Sequence, residues 1–323
     1  MRAVGIDVGG TKCRSLLIDC DLDDHGPVDH GPVEHGPVDS EKVPRTTRPT
    51  GVRYDVLADT KVDTPADASL VDVIARLIDD CGPVDAVGVG LPGLVTRDGI
   101  VRTSPHLAWV SEWDAAAELS QRAQRPVVVD NDATCATVAE WMLGAGERCD
   151  DMWLVTLGTG IGGGLIAGGE VRRGAHGHAG EIGHIHLGGL TSDDRAAACP
   201  CGQRGCWEVL ASGAALARRA GSAGGEDVVA RVRAGDAGAR EALVDWADAV
   251  ARGLAMLVNV TDPRRIVIGG GVSEAADVIL DPIRRALPRY CYGWPTRELP
   301  DVVAASLGAR AGALGAALLA GIV

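Results

Sequence analysis

An apolar strand, a glycine turn and a second apolar strand occur twice in this chain. The first copy runs Ala3–Val8, turns at Gly9-Gly10-Thr11-Lys12 and continues as Arg14–Asp19. The second runs Met152–Leu157, passes Gly158-Thr159-Gly160-Ile161-Gly162-Gly163-Gly164 and continues to Ala167. Glycines let a backbone turn come close to a phosphate, and Asp7 adds a carboxylate at a strand end. Each turn alone also has a plain reading as a tight hairpin. Neither fits the Gly-x4-Gly-Lys-Ser/Thr loop before a helix, nor the dinucleotide fingerprint that opens one, so a different phosphate cradle is implied.

Strands and helices alternate around these turns. Val56–Val62 alternates like an edge strand, Ala68–Asp80 carries Leu70, Val73, Ile74, Leu77 and Ile78 at helical spacing, and Ala86–Val89 is an apolar strand. The rhythm returns as strand Val127–Asp130, helix Ala133–Leu143 and the second hairpin. It returns again as helix Val244–Val260, strand Arg265–Ile268 and Gly269-Gly270-Gly271. Two α/β lobes follow from this pattern: a small one over residues 1–132 and a large one over 133–308. A C-terminal helix within 309–323 is expected to return to the first lobe. Residues 20–53 break the rhythm with charge, Pro and Gly, including near-copies of one unit starting at His25, His30 and His35. Three such short copies cannot build a solenoid, so the segment reads as a polar insertion.

A net charge of -13 argues against a broad nucleic-acid surface. An anionic nucleotide has to be held locally, by backbone amides and a metal. The apolar runs are too short to span a bilayer, and Met1-Arg2 leads straight into a strand without a secretory leader, which predicts a cytoplasmic address and no membrane partner. The nine cysteines are odd in number and mostly scattered, so a disulfide framework is not expected.

At Val127-Val128-Val129-Asp130-Asn131-Asp132-Ala133 an apolar strand stops at three polar residues before a helix. Helix capping by Asp130 or Asn131 explains one of them. Asp132 at the strand's edge can also accept the proton of an attacking sugar hydroxyl, with Asn131 holding the sugar. Further on, Cys199, Cys201 and Cys206 form Cys-x-Cys-x4-Cys among glycines; with one upstream His they would complete a closed Cys3His zinc site. Spacing leaves His184 and His186 both open as the fourth ligand.

Taken in order, Asp7–Lys12, Leu91-Pro92-Gly93, Ser104-Pro105, Asn131-Asp132-Ala133, Leu157–Gly164, Glu181–His184 and Cys199–Glu208 resemble the ROK family of sugar kinases and repressors, most closely its bacterial glucokinase branch. The match runs from residue 3 to the C-terminus apart from the insertion. The resemblance implies a two-lobed α/β fold of the actin-like ATPase (ribonuclease H-like) type with a structural zinc loop, closing around a sugar. It implies Asp132 as catalytic base, and Gly93, Asn131, Glu181, His184 and Glu208 as sugar-binding residues. It implies zinc on His184, Cys199, Cys201 and Cys206. Mg-ATP would lie near Asp7, Gly9, Gly10, Thr11 and Lys12, near Gly158, Thr159 and Gly160, and near Gly270 and Gly271.

Two departures from the family pattern stand out: the insertion, and a longer span between His184 and Cys199. Glucose is the expected acceptor, with another hexose or an N-acetylhexosamine as the alternative. ATP is the expected donor and polyphosphate its competitor. A repressor would carry a DNA-binding segment ahead of the first hairpin, which here begins at residue 3. A non-catalytic sugar sensor would not need Asp132 beside both turns. Relatives of this kind are often homodimers, and a homodimer is the expected assembly.

Overall fold

The computed structural model describes residues 1–21, 52–188 and 198–322. Strands β1 (Arg2–Val8) and β2 (Lys12–Asp21) form the first hairpin, in register from Arg2 opposite Asp19 to Val8 opposite Cys13. Strand β3 (Arg53–Asp63) pairs antiparallel with β2 and is largely exposed, as an edge strand is. Asp21 lies opposite Arg53, so the polar insertion joins two paired strands; residues 22–51, which hold its His repeats, lie outside the described residues. Strand β4 (Ala86–Leu91) adds in parallel to β1. A small sheet follows, of β5 (Leu94–Val95), β6 (Ile100–Thr103) and β7 (Ser111–Asp114). Strand β8 (Val128–Asn131) completes the first large sheet, ordered β3-β2-β1-β4-β8.

The second large sheet repeats that plan. It contains β9 (Met152–Leu157), β10 (Ile161–Ala167), β11 (Glu170–Val171), β12 (Arg265–Gly269) and β13 (Asp301–Ala304), in the order β11-β10-β9-β12-β13. Again three antiparallel strands come first and two parallel ones follow. The glycine run of the second hairpin is mostly strand rather than turn. Gly163 and Gly164 lie in β10, where an added Cβ would stand 2.3 Å from Ile182 Cδ1 and 2.2 Å from Thr137 Oγ1. Close packing, not turning, accounts for those two glycines.

Both sheets are covered on both faces. Helices α1 (Leu70–Asp79) and α2 (Ala115–Ala123) share a core with Val4, Ile6 and Val8 on one side of the first sheet. Ala3 and Leu16 point to the other side, where α3 (Asp132–Leu143) lies. Met152, Leu154 and Val267 of the second sheet reach that same central core, whereas Trp153, Val155, Ile266 and Ile268 face an outer one. Period-two alternation thus sends neighbouring residues of one strand into different cores. The outer core is filled by α4 (Trp207–Ala211), α5 (Gly213–Arg219), α6 (Gly225–Arg233), α7 (Ala237–Thr261) and α8 (Ala276–Ala286).

The last helix, α9 (Ala311–Ile322), is buried along nearly its whole surface between the sheets, beside α3. It presses on the first sheet backbone to backbone: a Cβ at Gly5 or Gly88 would lie 1.9 Å from the carbonyl oxygen of Ala313 or Ala316. Among the described residues no helix is long and apolar enough to cross a membrane.

Candidate active site

The C-terminal strand ends of both sheets border one cleft of ≈ 730 Å³. Ligands bind at such strand ends in open α/β sheets, because loops rather than side-chain layers close the space. From the first sheet, Asp7, Gly93, Asn131 and Asp132 line the cleft. From the second come Gly158, Thr159, Gly160, Glu181, His184, Glu208 and Gly270. Gly9, Gly10, Thr11, Lys12 and Gly271 are not among its lining residues. The first turn is instead fastened at the rim: Gly9 N donates to Lys12 O at 2.9 Å, and the Thr64 hydroxyl donates to Gly9 O at 2.8 Å. Lys12 Nζ turns outward to Asp63.

The three polar residues at the junction of β8 and α3 have three separate tasks. Asn131 is the N-cap of α3, its Oδ1 accepting from Thr134 N at 3.0 Å. Its Nδ2 donates to Gly93 O at 3.1 Å, which ties the helix start to the loop after β4. Asp130 is buried and accepts from Arg173 Nε at 2.7 Å. Asp132 opens the helix, one residue before the expected start, with Oδ1 accepting from Ala133 N at 2.8 Å.

Burial pushes Asp132 up to about 6, against hydrogen bonding from Ala133 and the nearby His106, which favour its charged form. Asp7 is pushed up to about 7, by burial first and then by the charge of Asp132. Glu181 is also pushed up to about 7, by burial and then by Asp132 and Glu208. A carboxylate in such a setting holds protons more firmly and is a better base once deprotonated. Glu208 lies against the second turn, where its Oε2 accepts from Ile161 N at 2.9 Å.

Beside the cleft, the donor atoms of His184, Cys199, Cys201 and Cys206 lie within 4.8 Å of one another. Cys199 Sγ is 3.7 Å from His184 Nδ1, and Cys201 Sγ is 3.7 Å from Cys206 Sγ. Ligand atoms around a tetrahedral zinc stand roughly 3.7 Å apart, so three thiols and one imidazole at this spacing fit that ion. His186 is occupied elsewhere: it bridges backbone to backbone with Cys206, and its Nδ1 accepts from Gly188 N at 3.2 Å. The longer span between His184 and Cys199 includes residues 189–197, which lie outside the described residues. His184 also points toward the cleft, its Nε2 4.0 Å from Glu181 Oε2.

Two cleft residues escape a reading of the sequence. His106 lines the wall directly after the Ser104-Pro105 pair, whose position was the available signal. Glu140 reaches the wall from inside α3, fully buried, in a helix whose apolar neighbours give no hint of a carboxylate's purpose.

Similarity to known proteins agrees with this geometry. Residues 50–322 match the sequence profile described as the ROK family. A glucokinase of Streptomyces coelicolor is 34% identical over 98% of this chain and 96% of its own length. The crystal structure of a ROK family glucokinase from Streptomyces griseus, in complex with glucose and AMPPNP, superposes with a TM-score of 0.79 at 33% identity, covering 99% of both chains. The ROK hexokinase from Thermus thermophilus superposes with a TM-score of 0.75 at 32% identity, covering 100% of this chain and 98% of the other. The fold is therefore the actin-like ATPase fold of the sugar kinases, and the class is that of the hexose kinases, which are ATP phosphotransferases. Within that class, the chain belongs to the ROK family.

Proposed function

We propose that this protein transfers the γ-phosphoryl group of ATP to the 6-hydroxyl of glucose, with Asp132 as the general base. The observation that carries this reading is Asp132 itself, a carboxylate raised to about 6 in a cleft that Gly158–Gly160, Asn131 and Glu181 also line. Asn131, Gly93, Glu181, His184 and Glu208 hold the sugar hydroxyls. Asp132 draws the proton from the 6-hydroxyl as that oxygen bonds to the γ-phosphorus, the bond from phosphorus to the bridging oxygen breaks, and ADP departs. The turns at Gly9–Lys12 and Gly158–Gly160 offer backbone amides to the phosphates, with Gly270 and Gly271 beside the adenosine. Burial and the charge of Asp132 raise the proton affinity of Asp7, which suits a site that receives a cation; Mg²⁺, when bound with ATP, supplies neutralisation of phosphate charge.

The Cys3His group would hold a structural zinc, with all four positions taken by protein, so that the ion fixes His184 against the sugar rather than acting on it. The two lobes, residues 1–132 with the C-terminal helix and residues 133–308, close on the sugar during turnover.

A coupled ADP-release assay over a panel of hexoses and amino sugars tests the reading, with sugar phosphate followed when polyphosphate replaces ATP. Glucose with ATP is expected to give the highest kcat/KM. A higher value for an N-acetylhexosamine or for polyphosphate reassigns the substrate, and no turnover with any sugar overturns the reading.

A further inference from the structure

The cleft is short of positive charge for a site that handles a triphosphate. Asp7, Asp132, Glu140, Glu181 and Glu208 line it, whereas among the described residues no Lys or Arg does. The basic side chains of the first hairpin are engaged outside it: Lys12 with Asp63, and Arg14 with both oxygens of Asp59 at 2.8 Å. Phosphoryl transfer spreads charge over the equatorial oxygens of the group in flight, and donors aimed at that charge supply much of the rate.

Two imidazoles are the remaining candidates on the wall. His184 is held between Cys199 Sγ at 3.7 Å and Glu181 Oε2 at 4.0 Å. His106 has no hydrogen-bond partner among the described residues. Its backbone is fixed, because Leu107 is 1% exposed and its N–H donates to the hydroxyl of buried Ser104 at 3.2 Å. Its ring stands over the first turn, with Nδ1 3.5 Å from where a Cβ on Gly10 would lie. It is also close enough to Asp132 to favour the charged carboxylate. The imidazole therefore lies between the base and the rim of the phosphate turn.

We propose that His106 is a catalytic residue whose ring N–H donates to the transferring phosphoryl group. This rests on the kinase reading above. In the step, the bond from O6 to phosphorus forms, the bond from phosphorus to ADP breaks and the hydroxyl proton goes to Asp132; His106 keeps its own proton.

The test compares wild type, His106→Ala and His106→Gln in the full chain, with glucose and Mg-ATP. His106→Ala is expected to lower kcat by about 10²–10³-fold, the usual loss for one such donor. Both KM values should stay within about threefold, because the contact forms in the transition state. His106→Gln, which keeps an N–H donor, should recover part of the rate. ADP with aluminium fluoride and glucose should raise the melting temperature of wild type much more than that of His106→Ala. An alanine variant with wild-type kcat, or one whose defect lies wholly in KM, overturns the inference while leaving the kinase reading intact. A wild type inactive on every sugar overturns both.

Discussion

Ser306 donates its backbone N–H at 3.0 Å and its hydroxyl at 3.3 Å to the carboxylate of Glu140, a side chain with no exposed surface in the last turn of α3. Leu307 N at 2.8 Å and Ala145 N at 2.9 Å complete the shell. The contact joins one helix between the sheets to the segment that enters the other. Glu140→Ala leaves these donors unmet, at a cost on the order of 3 kcal/mol. The melting temperature should fall by roughly 5–10 °C, and Glu140→Gln, which keeps one oxygen, should fall less. Scanning fluorimetry checks this, and equal melting temperatures for all three proteins would show that the shell carries no stability.

Asp132→Asn removes the base but preserves the shape of the helix start. Turnover should drop by about 10²–10⁴-fold. Glucose affinity measured by calorimetry should change little, since Asn131 and Glu181 remain. Near-normal turnover would remove Asp132 from the mechanism.

The raised carboxylates set two pH dependences. Asp132 acts as a base only when deprotonated, so kcat/KM should decline as pH falls through about 6. Stability runs the other way. Asp7 has a folded-state value of about 7 against an ordinary 3.8, chiefly through burial, so its favourable contribution is full below 3.8 and is lost as pH rises through 7. The ligand-free protein should therefore melt at lower temperature at pH 8 than at pH 5, and Asp7→Asn should flatten that slope. A slope unchanged in Asp7→Asn would assign it to other groups.

Cys201→Ser should cost the protein its stoichiometric zinc and raise KM for sugar through a loosened His184. Metal analysis together with sugar titration checks both halves. Wild-type protein without zinc would refute the metal assignment directly.

Local signals in the sequence located both hairpins, a cap at Asp130 or Asn131 that the structure gives to Asn131, and the thiol cluster. Helix α2 gave no such signal, because Ala115–Ala123 offers Leu119 as its single large apolar side chain; its start is marked by Asp114, which accepts from Ala117 N at 3.0 Å. Helix α7 begins at Ala237, ahead of the apolar run Val244–Val260, for a similar reason: Asp236 caps it, accepting from Ala239 N at 3.0 Å. Capping by a polar residue is a weaker pattern than apolar periodicity and is easily passed over.

By itself the sequence determined what depends on neighbouring residues: where strands end, where glycine permits a turn, and which cysteines lie close enough to share an ion. Tertiary structure alone decided what depends on distant segments meeting. It drew His184 rather than His186 into the Cys group, the His186 ring accepting from Gly188 N instead. It turned Lys12 away from the cleft toward Asp63 and left His106 facing in. It also buried Asp7 and Glu181 and set both near enough to Asp132 for its charge to raise their proton affinity, an effect that no spacing along the chain encodes.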